Sequence, residues 1–213
     1  SFWLWKQYMA LVFVLIAYSA VLERNFLKYC LFVFIATSMH TTAIIVFPVY
    51  FFYWFRLEPK RLALLFVLTI ILYVVFFKAI AFFILQANDY YSNYLTIEQN
   101  SQRLVIKLFY VLIFAYALGK NIYKKDAAYL MFILAIMNVI LYVGGSGIYG
   151  LFRLKLYFDA SEIIGVPILL QIANKSKISK KVLLYCSIIL YVGALCYSAY
   201  TFIESDNFLF GYH

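Results

Sequence analysis

The sequence predicts an all-α, polytopic integral membrane helical bundle, and three observations carry that prediction. Hydrophobic residues fill 67% of the 213 positions and charged residues only 13%, against about 45–50% apolar and about 25% charged in soluble domains. The mean hydropathy of +0.91 leaves more apolar surface than one water-soluble core of this size can hide, so lipid is the solvent for most side chains. The apolar runs are continuous and about 20 residues long, as spanning helices require, where barrel strands would alternate over about ten. Disorder, collagen, coiled coil and a free nucleic-acid-binding domain each need far more polar surface and are excluded.

Taken in order, the hydrophobic units cover residues 3–22, 26–55, 62–85, 104–119, 127–143, 154–172 and 182–203, about seven in all by the length a bilayer demands. The second is too long for a simple span. As one helix it would measure about 45 Å against a hydrocarbon core of about 30 Å, and it is interrupted by Ser38-Met-His40-Thr-Thr42 and by Pro48. Two readings follow. In one, a single kinked helix runs from outside to inside; in the other, a short helix rises from the cytoplasmic side to a turn near His40 and 41–55 descends again, a re-entrant arrangement.

The loops sort by charge. The segments 56–61, 120–125 and 175–181 are short and rich in Lys and Arg, which places them in the cytoplasm by the positive-inside rule. The segments 86–103, 144–153 and the tail 204–213 then face outward. Most of the net charge of +9 is thereby an orientation signal, and a nucleic-acid partner is not expected. Cys30, Cys186 and Cys196 lie in apolar stretches and read as packing residues; the last two are about 15 Å apart along one helix, too far to bridge. With His40 and His213 as the two histidines, no Cys/His cluster has metal-ligand spacing, so neither a metal nor a cofactor is expected. The chain opens on Ser1 without a signal-peptide pattern. It is expected to be a single transmembrane domain over 1–213, the C-terminal part of a longer protein.

Ionisable groups inside spans are the functional candidates. His40 is flanked by Ser38, Thr41 and Thr42, small polar residues able to line a wet cavity. It reads either as a structural histidine hydrogen-bonded across helices or as a general base or donor. In Arg153-Leu-Lys-Leu-Tyr-Phe158 helical spacing puts Arg153 and Tyr157 on one face, and Lys155, Asp159 and Glu162 on another. The second set reads as a partly buried cluster of compensating charges. Arg153 is suited to a phosphate or pyrophosphate by its planar fork, and equally to snorkelling at the interface. Lys78 is the single charge of the third unit, Arg103 closes the long outer loop with Lys107 one turn further on, and Tyr90, Tyr91 and Tyr94 crowd that loop beside Asp89. Interfacial tyrosines are ordinary, though such a lip also suits a sugar ring. The Gly144-Gly-Ser-Gly147 loop has no lysine at the spacing of a nucleotide-binding loop. No Asp-x-Asp pair, Gly-x-Ser-x-Gly elbow or His-Glu-x-x-His motif occurs.

Four motifs in this order, Lys6-Gln7, Ala36-Thr-Ser-Met-His40-Thr-Thr-Ala43, Phe47-Pro48-Val-Tyr50 and Arg153-Leu-Lys-Leu-Tyr-Phe158, resemble the EpsG-type, Wzy-like family of bacterial polysaccharide polymerases. Members of that family carry an Arg-Gln pair where this chain has Lys6-Gln7, and a lysine lacks the fork for a bidentate phosphate contact. The resemblance implies an inner-membrane glycosyltransferase that joins oligosaccharide repeat units carried on undecaprenyl pyrophosphate at the outer face, beside membrane lipid and alongside flippase and chain-length regulator proteins. It implies that Arg153, with Lys6, Gln7, Arg103 or Lys78, holds the pyrophosphate. His40 orients or deprotonates the acceptor hydroxyl, with Asp159 or Glu162 as the competing base, while Tyr157, Tyr90, Tyr91 and Tyr94 line the sugars. The rival readings are a flippase for the same class of lipid-linked sugar, which internal repeats would support, and a non-catalytic subunit of an export machine.

Overall fold

The structure, a computed structural model, describes residues 2–56, 58, 61, 64, 68, 101–119, 126–144 and 154–204. Most of the third hydrophobic unit therefore lies outside the described residues, as do Lys78, Tyr90, Tyr91, Tyr94 and Arg153 from the candidate set. Among the described residues every regular element is helical: α1 (Phe2–Leu22), α2 (Phe26–Met39), a 3-10 stretch η1 (Thr41–Val46), α3 (Pro48–Phe55), α4 (Ser101–Leu118), α5 (Asp126–Gly144), α6 (Leu156–Asn174) and α7 (Ile178–Glu204). Segments within α1, α5, α6 and α7 are long and apolar enough to cross a membrane.

The long second unit resolves into a helical hairpin. Asn25 caps α2, its side chain accepting from the Lys28 N–H at 3.0 Å, which offsets one of the orphan donors of the first turn. The helix ends where hydroxyls turn back on the backbone: Thr37 donates to the Val33 carbonyl and Ser38 to that of Ile35, bonds that bend helices. His40 then takes an extended conformation, φ −148° and ψ 111°. Its N–H still closes on the Ala36 carbonyl and its own carbonyl starts η1 by accepting from Ala43. Pro48, with no N–H to lose, opens α3 at the first turn, where proline is tolerated.

The returning arm packs on the rising one. Tyr29 donates to the Val46 carbonyl at 2.6 Å and Tyr50 to the Arg24 carbonyl at 3.0 Å, while the Tyr50 ring lies 5.0 Å from Phe26 and 5.2 Å from Tyr29. Arg24 and Arg56, at the two feet of the hairpin, both meet Asp126 at the start of α5. A single kinked helix would hold those feet a full length apart, so the re-entrant reading of 26–55 is the one this fold adopts.

α5 is the central helix. Every residue from Ala128 to Ile136 is buried, and α3, α4 and α6 pack around it. The molecule is apolar on the outside as well: Leu27, Phe34, Ile163 and Ile189 are each more than two-thirds exposed, the pattern of a bundle whose surroundings are hydrocarbon. All three cysteines are free thiols, and Cys186 and Cys196 sit on the exposed face of α7, not in packing. One end of the bundle collects Arg24, Arg56 and Asp126 with the 175–181 segment, where Lys180 reaches the Ala117 carbonyl at 3.1 Å. This is the basic end; His40 and the first turns of α4 and α6 lie towards the other.

Candidate functional site

Away from the basic end, three helices bring polar side chains together at one depth. Lys107 on α4, Asn138 on α5 and Glu162 on α6 each stand six residues inside the end of their helix, about 9 Å at the helical rise. The Lys107 ammonium donates to Asp159 at 2.9 Å and to Glu162 at 2.6 Å. The Asn138 amide donates to the same two carboxylates at 2.9 and 3.1 Å. Turning the amide over would set Oδ1 against two carboxylates, so its orientation is settled by charge. Lys107 is 8% exposed and Asn138 1%. A charge at such a position is tolerated only when it is paired and hydrogen-bonded.

One ammonium serves two carboxylates, and further cations balance the remainder. The Tyr142 ring lies against both Lys107 and Lys155, its centroid 5.8 Å from one amine and 5.2 Å from the other, as cation–π attraction favours. Arg103, in the first turn of α4, is within electrostatic reach of Tyr142 and Lys155. The cluster is therefore larger than the one predicted. Lys155 lies within electrostatic reach of both carboxylates, while Lys107 from another helix and Asn138 from a third bond to them directly.

On the other side of α6 the same turn engages the hairpin. The Thr42 hydroxyl lies 2.7 Å from His40 Nδ1 and 3.3 Å from the Tyr157 hydroxyl, and the Tyr157 carbonyl accepts from Tyr18 at 3.0 Å. Tyr157 is fully buried. Sequence spacing had put Tyr157 and Asp159 on different faces of α6. The fold turns one face to the apex of the hairpin and the other to the cation cluster, so this helix start links both. Below it Gly165 lets α4 approach closely: a methyl built there would overlap the Tyr110 hydroxyl and lie 2.9 Å from Phe114 Cε2. Tyr110 uses that closeness to donate to the Ser161 carbonyl and to stack on Tyr191, 4.8 Å between centroids.

From the predicted set, His40 and Tyr157 are thus joined through Thr42, and Asp159 and Glu162 are joined through Lys107 and Asn138. Gln7 is buried in α1 and its neighbour Lys6 is exposed on that helix. Lys107 and Asn138 were missed as site residues. A polar residue inside an apolar span is the signal that could have found them, since Lys107 and Asn138 each stand six residues, about 1.7 turns, inside the end of their helix. Among the described residues no group of three or more His, Cys, Asp or Glu could hold a metal ion.

Composition, spans and this interior polar array define a polytopic membrane protein. The EpsG family profile matches residues 1–212, essentially the whole chain, and the chain belongs to the EpsG family, a Wzy-like polysaccharide polymerase family. It is accordingly a membrane protein of the polysaccharide-polymerase type. No curated protein and no solved structure matches it.

Proposed function

We propose that the protein is a membrane-embedded glycosyltransferase that joins oligosaccharide repeat units carried on undecaprenyl pyrophosphate, working at the outer face of the bacterial inner membrane to build an exopolysaccharide, capsule or O-antigen chain. The observation that carries this reading is the EpsG family match over residues 1–212. The distribution of charge supports its orientation: the 175–181 segment lies with Arg24 and Arg56 at one end, cytoplasmic by the positive-inside rule. His40, Lys107, Asp159 and Glu162 then lie on the outer side.

In the reaction the acceptor sugar's hydroxyl oxygen bonds to the donor's anomeric carbon. The bond from that carbon to the pyrophosphate oxygen breaks, and the lipid pyrophosphate leaves with the electron pair. A base takes the acceptor's proton. Cations near the leaving group stabilise its developing charge, a task assigned to Arg153 with Lys6, Gln7, Arg103 or Lys78. His40 orients or deprotonates the acceptor hydroxyl, with Asp159 or Glu162 as the competing base. Tyr90, Tyr91 and Tyr94 cover the sugars.

Purified protein given lipid-linked repeat units in detergent, without metal, tests the proposal: longer products are expected, and products of unchanged length overturn it. Where chains do lengthen, undiminished activity of both Arg153→Ala and His40→Ala overturns the site assignment alone.

A further inference from the structure

A second set of polar groups lies at the basic end of the bundle and takes no part in the proposed transfer. Between the two feet of the hairpin opens a cavity of about 390 Å³, whose walls among the described residues are Arg24, Tyr53, Trp54 and Arg56. Its volume is within the range of small-ligand pockets. Two of the walls are cations, and they share one carboxylate. Arg56 bonds to Asp126, while Arg24 comes no nearer to it than 3.9 Å, beyond hydrogen-bonding distance. Tyr53 is 1% exposed, and its hydroxyl finds no hydrogen-bond partner among the described residues. Arg24 and Arg56 both act on that hydroxyl, but a guanidinium only donates, so the phenol proton lacks an acceptor whichever way either arginine turns. A buried donor left in that state is costly. Between two guanidinium groups, the acceptor that suits it is an anionic oxygen. Both arginines also stand in the left-handed region, at φ 56° and 43°, where glycine or asparagine is the unstrained choice.

The surroundings say what carries that oxygen. Trp54 is 58% exposed, and with Phe51 and Phe55 it forms an exposed stripe of α3 at i, i+3, i+4 spacing. A tryptophan at the end of a span sits at headgroup depth. We propose that the cavity binds the phosphate of an anionic phospholipid from the leaflet at the basic end. Arg24 and Tyr53 donate to phosphate oxygens, Arg56 adds its charge, and the acyl chains lie along the aromatic stripe. Basic pockets between spans on the cytoplasmic side take such headgroups. Asp126 competes with the phosphate for the same arginines. A phosphate held there bridges the segment after α1 and the end of α3, and so ties the feet of the hairpin together. The site stands apart from the polymerase reading and needs neither the reaction nor its substrate.

The test uses Trp54 as the reporter. The chain has three tryptophans, so Trp3→Phe and Trp5→Phe in the full chain leave Trp54 as the sole indole. That protein is placed in phosphatidylcholine vesicles containing increasing fractions of phosphatidylglycerol brominated on its acyl chains. Quenching is expected to exceed that from equal fractions of brominated phosphatidylcholine, with a relative affinity of about fivefold, the worth of one basic side chain near an anionic headgroup. Arg24→Gln and Tyr53→Phe each bring the ratio towards one, and Asp126→Asn raises it by removing the competing carboxylate. Lys181→Gln removes a cation from the same end of the bundle and leaves the ratio unchanged. Equal quenching by the two lipids overturns the proposal. So does a ratio untouched by both Arg24→Gln and Tyr53→Phe, or one lowered as much by Lys181→Gln. Inorganic phosphate that reverses the quenching assigns the cavity to a free anion and overturns the lipid.

Discussion

At the basic end Asp126 meets Arg56 and Arg24 with half of its side chain exposed, whereas Lys107 meets Asp159 and Glu162 with a tenth of its side chain exposed. The first set is screened and free to exchange partners, and pairs of that kind contribute about 0–1 kcal/mol. The second is held by three helices and an amide whose both N–H groups are used. Removing one member there strands charge where little water reaches to compensate it. The difference teaches that the charges of this chain do two kinds of work. Those at the basic end set orientation and cost little to keep, while those buried across α4, α5 and α6 are retained against a standing desolvation cost.

The largest effect that can break this contrast comes from Lys107→Met. It leaves two partly buried carboxylates without their ammonium and is expected to destabilise the protein by about 3 kcal/mol, the low end for breaking a buried pair, measured by unfolding in detergent. Adding Asp159→Asn and Glu162→Gln in the same chain should recover most of the loss, because no charge is then stranded. Next comes Gly165→Ala, expected to cost about 1–3 kcal/mol as overpacking against Tyr110 and Phe114. In the same unfolding measurement a neutral result would mean that α4 and α6 can separate without penalty. Asn138→Leu removes two bonds to carboxylates, and a loss of about 1.5 kcal/mol is expected, at the modest end for hydrogen bonds within membranes. The smallest effect belongs to the basic end: Arg56→Ala should change stability by under about 1 kcal/mol, and less at 1 M salt than at low salt. A loss there as large as that from Lys107→Met would erase the distinction.

Much of the fold was legible because length and chemistry conflicted openly. A 45 Å apolar run cannot sit straight in a 30 Å core, and Ser38, His40 and Pro48 marked where it breaks. What remained open was whether the run bends or returns, since Lys6, Arg24 and Lys28 are too few to decide orientation by charge. Tyr50 against Arg24 and Tyr29 against Val46 settle it, and both are contacts between residues about one hairpin apart. At the site, the i to i+4 rule found the acidic face of α6 and offered Lys155, which lies within electrostatic reach of both carboxylates, but not the groups that bond to them. Lys107 is 52 positions from Asp159, and Asn138 is 21 positions away. Pairings across helices depend on register and tilt, which no local periodicity encodes. The Thr42–Tyr157 contact spans 115 positions and was invisible for the same reason, although both residues stood inside motifs already singled out.

The hairpin has one more consequence. Its rising arm has 14 residues, about 21 Å, so an arm that starts at one surface ends about 9 Å short of the other. Backbone with broken helical bonding cannot face acyl chains at that depth; it must meet protein or water. The apex carrying His40 therefore has to be sealed by the side chains around it, as Thr42 and Tyr157 do on one flank, or be wetted. Loosening those contacts would expose open backbone to hydrocarbon.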